Sequence, residues 1–160
     1  MDNNVYTQAK SFKKRYPLTI AWRIKAHAKI IEKHLNPGEQ ILYVFAAQKN
    51  DNPLDIITSY VCALTNRRLI LAQKRLLFGY FFTSITPDLF NDLKVNMGMF
   101  WGKIYIDTAK EVVPLSNIQK DALNEIETNI TEYMMEEKKK YAGFQSNIKY
   151  KGAVTKLNKS

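Results

Sequence analysis

Thr65-Asn66-Arg67-Arg68 breaks the apolar stretch 61–82 with two adjacent arginines. Neighbouring guanidinium groups can grip an anion through charge-assisted hydrogen bonds. The same tetrad also suits a corner between two buried strands, because asparagine tolerates left-handed backbone at little cost. Met99-Phe100-Trp101, between Gly98 and Gly102, is a candidate interaction loop. It reads either as an apolar tip that dips into a membrane or partner pocket, or as a hairpin whose aromatics fold back over the protein. His27 and His34 stand seven apart, about two helical turns, but no further ligand completes a motif such as His-Glu-x-x-His. Cys62 lies among apolar neighbours that would not depress its pKa, so it reads as a small buried hydrophobe. Glu125, Glu132 and Glu136 are spaced by helical turns and read as a solvated face. Neither a phosphate-binding glycine loop nor a Gly-x-Ser-x-Gly elbow occurs among the 6 glycines. Catalytic residues, metal sites and cofactors are not expected.

The elements that would position these residues change character twice along the chain. Ile20, Ile24, Ala28, Ile31 and Leu35 recur at three and four, which predicts an amphipathic helix over 20–35 with Thr19 as N-cap and Asn36-Pro37-Gly38 as its stop. From Gln40 to Pro114 short apolar runs alternate with polar clusters: 41–47, 55–64, 67–73, 78–86, 88–97, 103–108 and 111–114. Seven short strands at such spacing indicate an antiparallel barrel or sandwich. Thr86-Pro87-Asp88 also fits a helix start, though strand is preferred there. After Pro114 the helical period returns, with Ser116 as N-cap and Ile118, Ala122, Ile126, Ile130 and Met134 along one stripe. A helix over 116–137 is expected to close the barrel.

At 160 residues the chain suits one domain with modest extensions. Its single cysteine fits a reducing compartment, and Met1-Asp2-Asn3-Asn4 opens no secretory signal. The longest uncharged apolar-rich run, 56–65, is far short of the roughly 20 residues of a membrane helix. The cytoplasm is therefore expected, with peripheral membrane contact as an option. The net charge of +9 is unevenly placed. Residues 1–35 carry +6, residues 36–137 carry −4, and residues 138–160 carry +7 from lysine alone. Basicity belongs to two arms, not to the core. The expected division is a basic extension with a helix over 1–36, a barrel domain over 37–138 and a lysine-rich tail over 139–160.

Three stretches in order, "LNPGEQILYVF" (35–45), "ALTNRRLILA" (63–72) and "GKIYI" (102–106), resemble the bacterial pleckstrin-homology-like (YokE-like) domain family. That resemblance covers about residues 35–137. It implies an α+β fold: a PH-like seven-strand antiparallel barrel capped by a C-terminal helix, here with an extra N-terminal amphipathic helix. It assigns Asn66-Arg67 to the corner between the second and third strands. Arg68 then lays its methylenes along the rim, with its head in water or against a carboxylate. The family also carries glycines and a bulky residue near 97–103, which favours the folded-back hairpin.

Phosphoinositide recognition depends on several cations on the first strand pair. Here the loop 48–55 sets Lys49 against Asp51 and Asp55, so no specific phosphoinositide is expected. The resulting expectation is a non-enzymatic module that offers strand edges and loops to a protein partner or to further copies of itself. The rival is weak attachment to an anionic membrane or to nucleic acid through the arms. Its candidate contacts are Lys138, Lys139, Lys140, Lys149 and Lys151. Phe144, Ile148, Tyr150, Val154 and Leu157 are more apolar residues than a free tail needs, so the tail is expected to pack against folded protein and support oligomerisation, with the acidic helix 118–137 of the same chain or of a neighbouring copy as the nearest complementary surface.

Overall fold

β1 (Ile41–Gln48), β2 (Ser59–Thr65) and β3 (Leu69–Lys74) read as continuous apolar runs because both their faces are covered. The computed structural model describes residues 4–55 and 57–157, with side chains to residue 149. Met1, Asp2, Asn3 and Ile56 lie outside the described residues, as do the side chains of Tyr150, Lys151, Val154 and Leu157. β4 (Tyr80–Ile85), β5 (Phe90–Met97), β6 (Trp101–Thr108) and β7 (Val112–Gln119) complete an antiparallel sheet of order β4-β3-β2-β1-β7-β6-β5. β1 meets β7 at one pair, Gln48 with Ser116, and the sheet curls there into a half-barrel. β4 and β5 remain its two edges.

Inside the curl, Tyr43, Phe45, Leu71, Phe90, Ile104 and Leu115 pack with Ile126, Ile130 and Met134 of α3 (Leu123–Leu157). Against the outer face, Val44, Val61 and Ile70 meet Val5 and Ala9 of α1 (Val5–Arg15) and Ala28 and Ile31 of α2 (Ile24–His34). α1 has no counterpart in the sequence reading. Val5, Ala9 and Phe12 are its buried face, and the Asn4 side chain caps it by accepting the Thr7 N–H at 2.8 Å.

Several expected boundaries move: β2 starts at Ser59 rather than 55, Thr86-Pro87-Asp88 is a turn before β5, and β7 runs on to Gln119. α2 starts at Ile24 rather than Ile20, behind Arg23 in left-handed conformation (φ 55°). Thr19 is no cap: its hydroxyl is buried and accepts the Gln119 N–H, while the Ile20 N–H donates to the Asn117 carbonyl. The chain before α2 is thus tied to β7. Ser116 is likewise no cap. It lies in β7 with its hydroxyl against the carbonyls of Gln48 and Asn50, at the seam of the sheet. The helix begins only after a 3-10 turn, Lys120–Ala122.

α3 then runs 35 residues to Leu157, well past residue 137. No proline interrupts it, and Glu137 pairs with Lys140 at 2.7 Å across the expected stop. The tail is therefore the continuation of the acidic helix and does not fold back onto it. Residues 139–149 are exposed.

Candidate functional site

The two arginines of the corner have different duties. The Thr65 N–H donates to the Arg68 carbonyl and the Thr65 hydroxyl accepts the N–H groups of Arg67 and Arg68, which closes the turn. Arg67 is exposed and donates to the Pro37 carbonyl at 3.0 Å. Arg68 turns inward. Its Nε and NH2 donate to the two carboxylate oxygens of Glu39 at 2.9 and 3.0 Å, and NH2 also reaches the His34 carbonyl at 2.8 Å. The Glu39 side chain has no solvent exposure and also accepts from the Thr65 hydroxyl and the Asn36 N–H. Burial alone would raise its carboxyl, but these donors, Arg68 foremost, hold it down to about 2. Of the two settings the corner reading left open for Arg68, water or a carboxylate, it takes the carboxylate, and its guanidinium is occupied.

The other residues singled out by chemistry are also engaged. His27 is buried, its Nδ1 accepting the Lys74 N–H at 2.8 Å, while His34 packs on Phe82 and its Nε2 lies 2.9 Å from the Tyr80 hydroxyl. The two rings serve different neighbours, and among the described residues no His, Cys, Asp and Glu group is placed to hold a metal. Burial pushes the Cys62 thiol well above its usual range. Lys49 lies over the Tyr60 ring at 5.1 Å, and Asp51 pairs with Lys103 at 2.7 Å instead of with Lys49. Glu125 is no solvated carboxylate: α1 brings Arg15 to within 2.6 Å and the Tyr16 hydroxyl onto the same oxygen. Glu132 and Glu136 are the exposed ones.

Met99, Phe100 and Trp101 separate. The Trp101 indole N–H donates to the Leu18 carbonyl at 2.6 Å, so its ring is held back against the chain. Met99 and Phe100 stay exposed at the tip. Of the tail lysines, Lys138 is half-buried and donates to the Phe90 carbonyl at 2.6 Å, and Lys140 meets Glu137. Lys139 and Lys149 project into solvent, and the Lys151 side chain lies outside the described residues.

The most exposed apolar surface was not singled out from sequence. The β3–β4 hairpin turns at Gly79 (φ 75°), and Leu76, Leu77 and Phe78 stand outside the ladder. Leu77 and Phe78, with Leu54 of the β1–β2 loop, are each at least four-fifths exposed. A groove of about 620 Å³ runs between the two loops; Ile57, Leu76, Leu77, Phe78 and Phe81 make most of its wall, with Thr58, Gln73 and Arg75 as its polar part. Tyr80 and Phe81 open β4, which among the described residues pairs with β3 alone. The guanidinium of Arg23 braces the hairpin base, 3.2 Å from the Lys74 carbonyl. The signal in sequence was Leu-Leu-Phe-Gly, an apolar run broken by a turn glycine.

Residues 35–132 match the sequence profile of the family described as Bacterial PH domain. Similar solved structures include a pleckstrin homology domain from Shewanella amazonensis SB2B, at 19% identity over 68% of this chain and 95% of that one, with a TM-score of 0.47. Another is a DUF1696 family protein with a pleckstrin-homology domain from Shewanella loihica PV-4, at 16% identity over 68% and 93%, with a TM-score of 0.45. No curated protein matches.

Proposed function

This chain belongs to the bacterial PH domain family, and from that premise we propose a non-catalytic binding module whose β1–β2/β3–β4 end receives an extended segment of a protein partner. The observation that carries this reading is the conjunction of an apolar groove with a free strand edge. β4 has one hydrogen-bonded neighbour, so its outer N–H and C=O groups can pair with an added strand. A strand laid there presents alternate side chains to one face, and Leu76, Leu77, Phe78 and Ile57 offer them exposed apolar surface to cover. The partner is a second protein or a second copy of this chain. A phosphoinositide is not the favoured ligand, because Lys49 is spent on Tyr60 and Lys103 on Asp51.

Selection of displayed peptides on the full chain, countered against the Leu77→Asp/Phe78→Asp variant, tests this. The expected binders alternate apolar and polar residues and lose about tenfold or more in affinity on the variant. Binders that ignore the substitution would overturn the assignment. So would a failure to enrich any peptide together with a monomeric protein at all concentrations in light scattering. The variant should fold normally, since both side chains are exposed.

A further inference from the structure

α3 has an apolar face that outlasts the barrel. Leu123, Ile126, Ile130 and Met134 are its buried stripe. Tyr141 follows Met134 by seven residues, two helical turns, and Phe144 and Ile148 continue at three and four. The same side of the helix therefore stays apolar past the barrel: Tyr141 borders the cleft at Asn66-Arg67, and Tyr141, Phe144 and Ile148 are each half or more exposed. The charge changes at the same place. Residues 123–137 hold five glutamates, whereas residues 138–160 hold seven lysines and no acidic residue. Helical phase sets Lys149 to one flank of the stripe and Lys140 to the other, with Lys139 behind. Lys139 and Lys149 have no carboxylate partner among the described residues.

We propose that residues 139–149 of α3 are a membrane-surface helix: Tyr141, Phe144 and Ile148 sink into the interface of an anionic bilayer and the lysines lie among its headgroups. A basic flank on an apolar helical stripe is the pattern that lies in the plane of a membrane. A second copy of the chain satisfies the face less well. Two such extensions packed together would oppose lysine to lysine. The acidic part of a partner's α3 supplies carboxylates, but its apolar side is already consumed by its own barrel. An anionic bilayer supplies an apolar phase and negative charge together. This surface is separate from the β4 groove and does not depend on it.

Co-sedimentation of the full chain with vesicles of phosphatidylcholine alone, and of phosphatidylcholine with phosphatidylglycerol, tests the proposal. Binding is expected only to the anionic vesicles, weakening as salt rises. Phe144→Glu/Ile148→Glu should abolish it, and Lys139→Glu/Lys149→Glu should weaken it by about tenfold or more. All four positions are exposed, so an unchanged melting temperature shows that the variants fold. The proposal falls if the native chain ignores phosphatidylglycerol, or if Phe144→Glu/Ile148→Glu binds as well as the native chain. It also falls if binding is lost with Leu77→Asp/Phe78→Asp instead. If that same helix variant splits an oligomer in light scattering while vesicles go unbound, a second copy is the occupant.

Discussion

Replacing Arg68 by alanine while leaving Arg67 intact, and the reverse, separates two neighbours that look alike in sequence. Arg68→Ala strips the Glu39 carboxylate of two hydrogen bonds in a site where its side chain has no solvent exposure. Removing one partner of a buried pair costs about 3–5 kcal/mol, because the remaining charge is left uncompensated. Burial alone would raise the Glu39 carboxyl; Arg68, the largest of the donors, outweighs it together with the Asn36 N–H and the Thr65 hydroxyl and holds Glu39 at about 2 against an ordinary 4.5.

The pH dependence has a definite sign. A carboxyl lowered by folding contributes fully above its unfolded pKa, and the contribution is lost as pH falls from about 5 toward about 2. Urea unfolding of both variants and the native chain, near pH 7 and again near pH 3, reads this directly. Arg68→Ala should be several kcal/mol less stable at neutral pH, and its deficit should shrink in acid, where Glu39 takes up a proton. Arg67→Ala should stay within about 0.5 kcal/mol of native at both, as an exposed side chain with one hydrogen bond to Pro37. Equal small losses for the two arginines, or a deficit in Arg68→Ala that ignores pH, would refute the assignment of the corner's stability to the Glu39 pair.

Other consequences are checked more briefly. Burial first, and the Arg23 charge second, hold His27 near 4, below the ordinary 6.5; its imidazole should titrate there by NMR, and stability should fall as pH drops from about 6.5 toward 4. Gly102→Ala would drive a Cβ into the Leu123 side chain and to 2.7 Å from the Asn96 carbonyl, so thermal melts should show a loss of about 1–3 kcal/mol. Gly143→Ala meets open space in mid-helix and should raise the helix signal in circular dichroism, with a gain of up to about 1 kcal/mol. Soluble inositol phosphates should leave the melting temperature unchanged, since Lys49 and Lys103 are already engaged.

The strands were legible because their apolar runs are short and bounded by polar turns, and the order of the three family stretches pointed to the right curl. Boundaries failed where a side chain was claimed by a distant element. Thr19 and Ser116 both carry the mark of a helix cap, yet their hydroxyls are taken by β7 and by the end of β1 with the loop after it. Pro114 looked like the end of a strand. It is tolerated inside β7 because that strand meets β1 only at Ser116, so at Pro114 there is a ladder on one side alone. α1 was overlooked although Val5, Ala9 and Phe12 keep helical spacing, because its remaining positions are polar and basic and only the sheet gives its narrow face a reason to fold. The exposed hairpin was hidden by composition: Leu76-Leu77-Phe78 reads as core until Gly79 turns the chain away from it.

The two proposed surfaces lie at opposite ends of β3. That strand leaves the corner at Asn66-Arg67, where Tyr141 of α3 lies in the same cleft, and delivers the chain to the hairpin after Lys74. Its six residues span about 20 Å, which separates the start of the basic helix from the apolar groove. Lys138 marks the point where α3 leaves the barrel, its ammonium fixed on the Phe90 carbonyl and beside the Asn91 amide oxygen. From there the helix projects as a continuation of a rigid element, so a bilayer that receives residues 139–149 meets the corner end of the barrel. The Leu76–Phe78 tip lies at the far end of β3 from that corner, whereas β4 runs back toward it and pairs its Ile85 with Leu69. If both proposals hold, the groove at the hairpin end and the helix at the corner end would be separated by the length of β3.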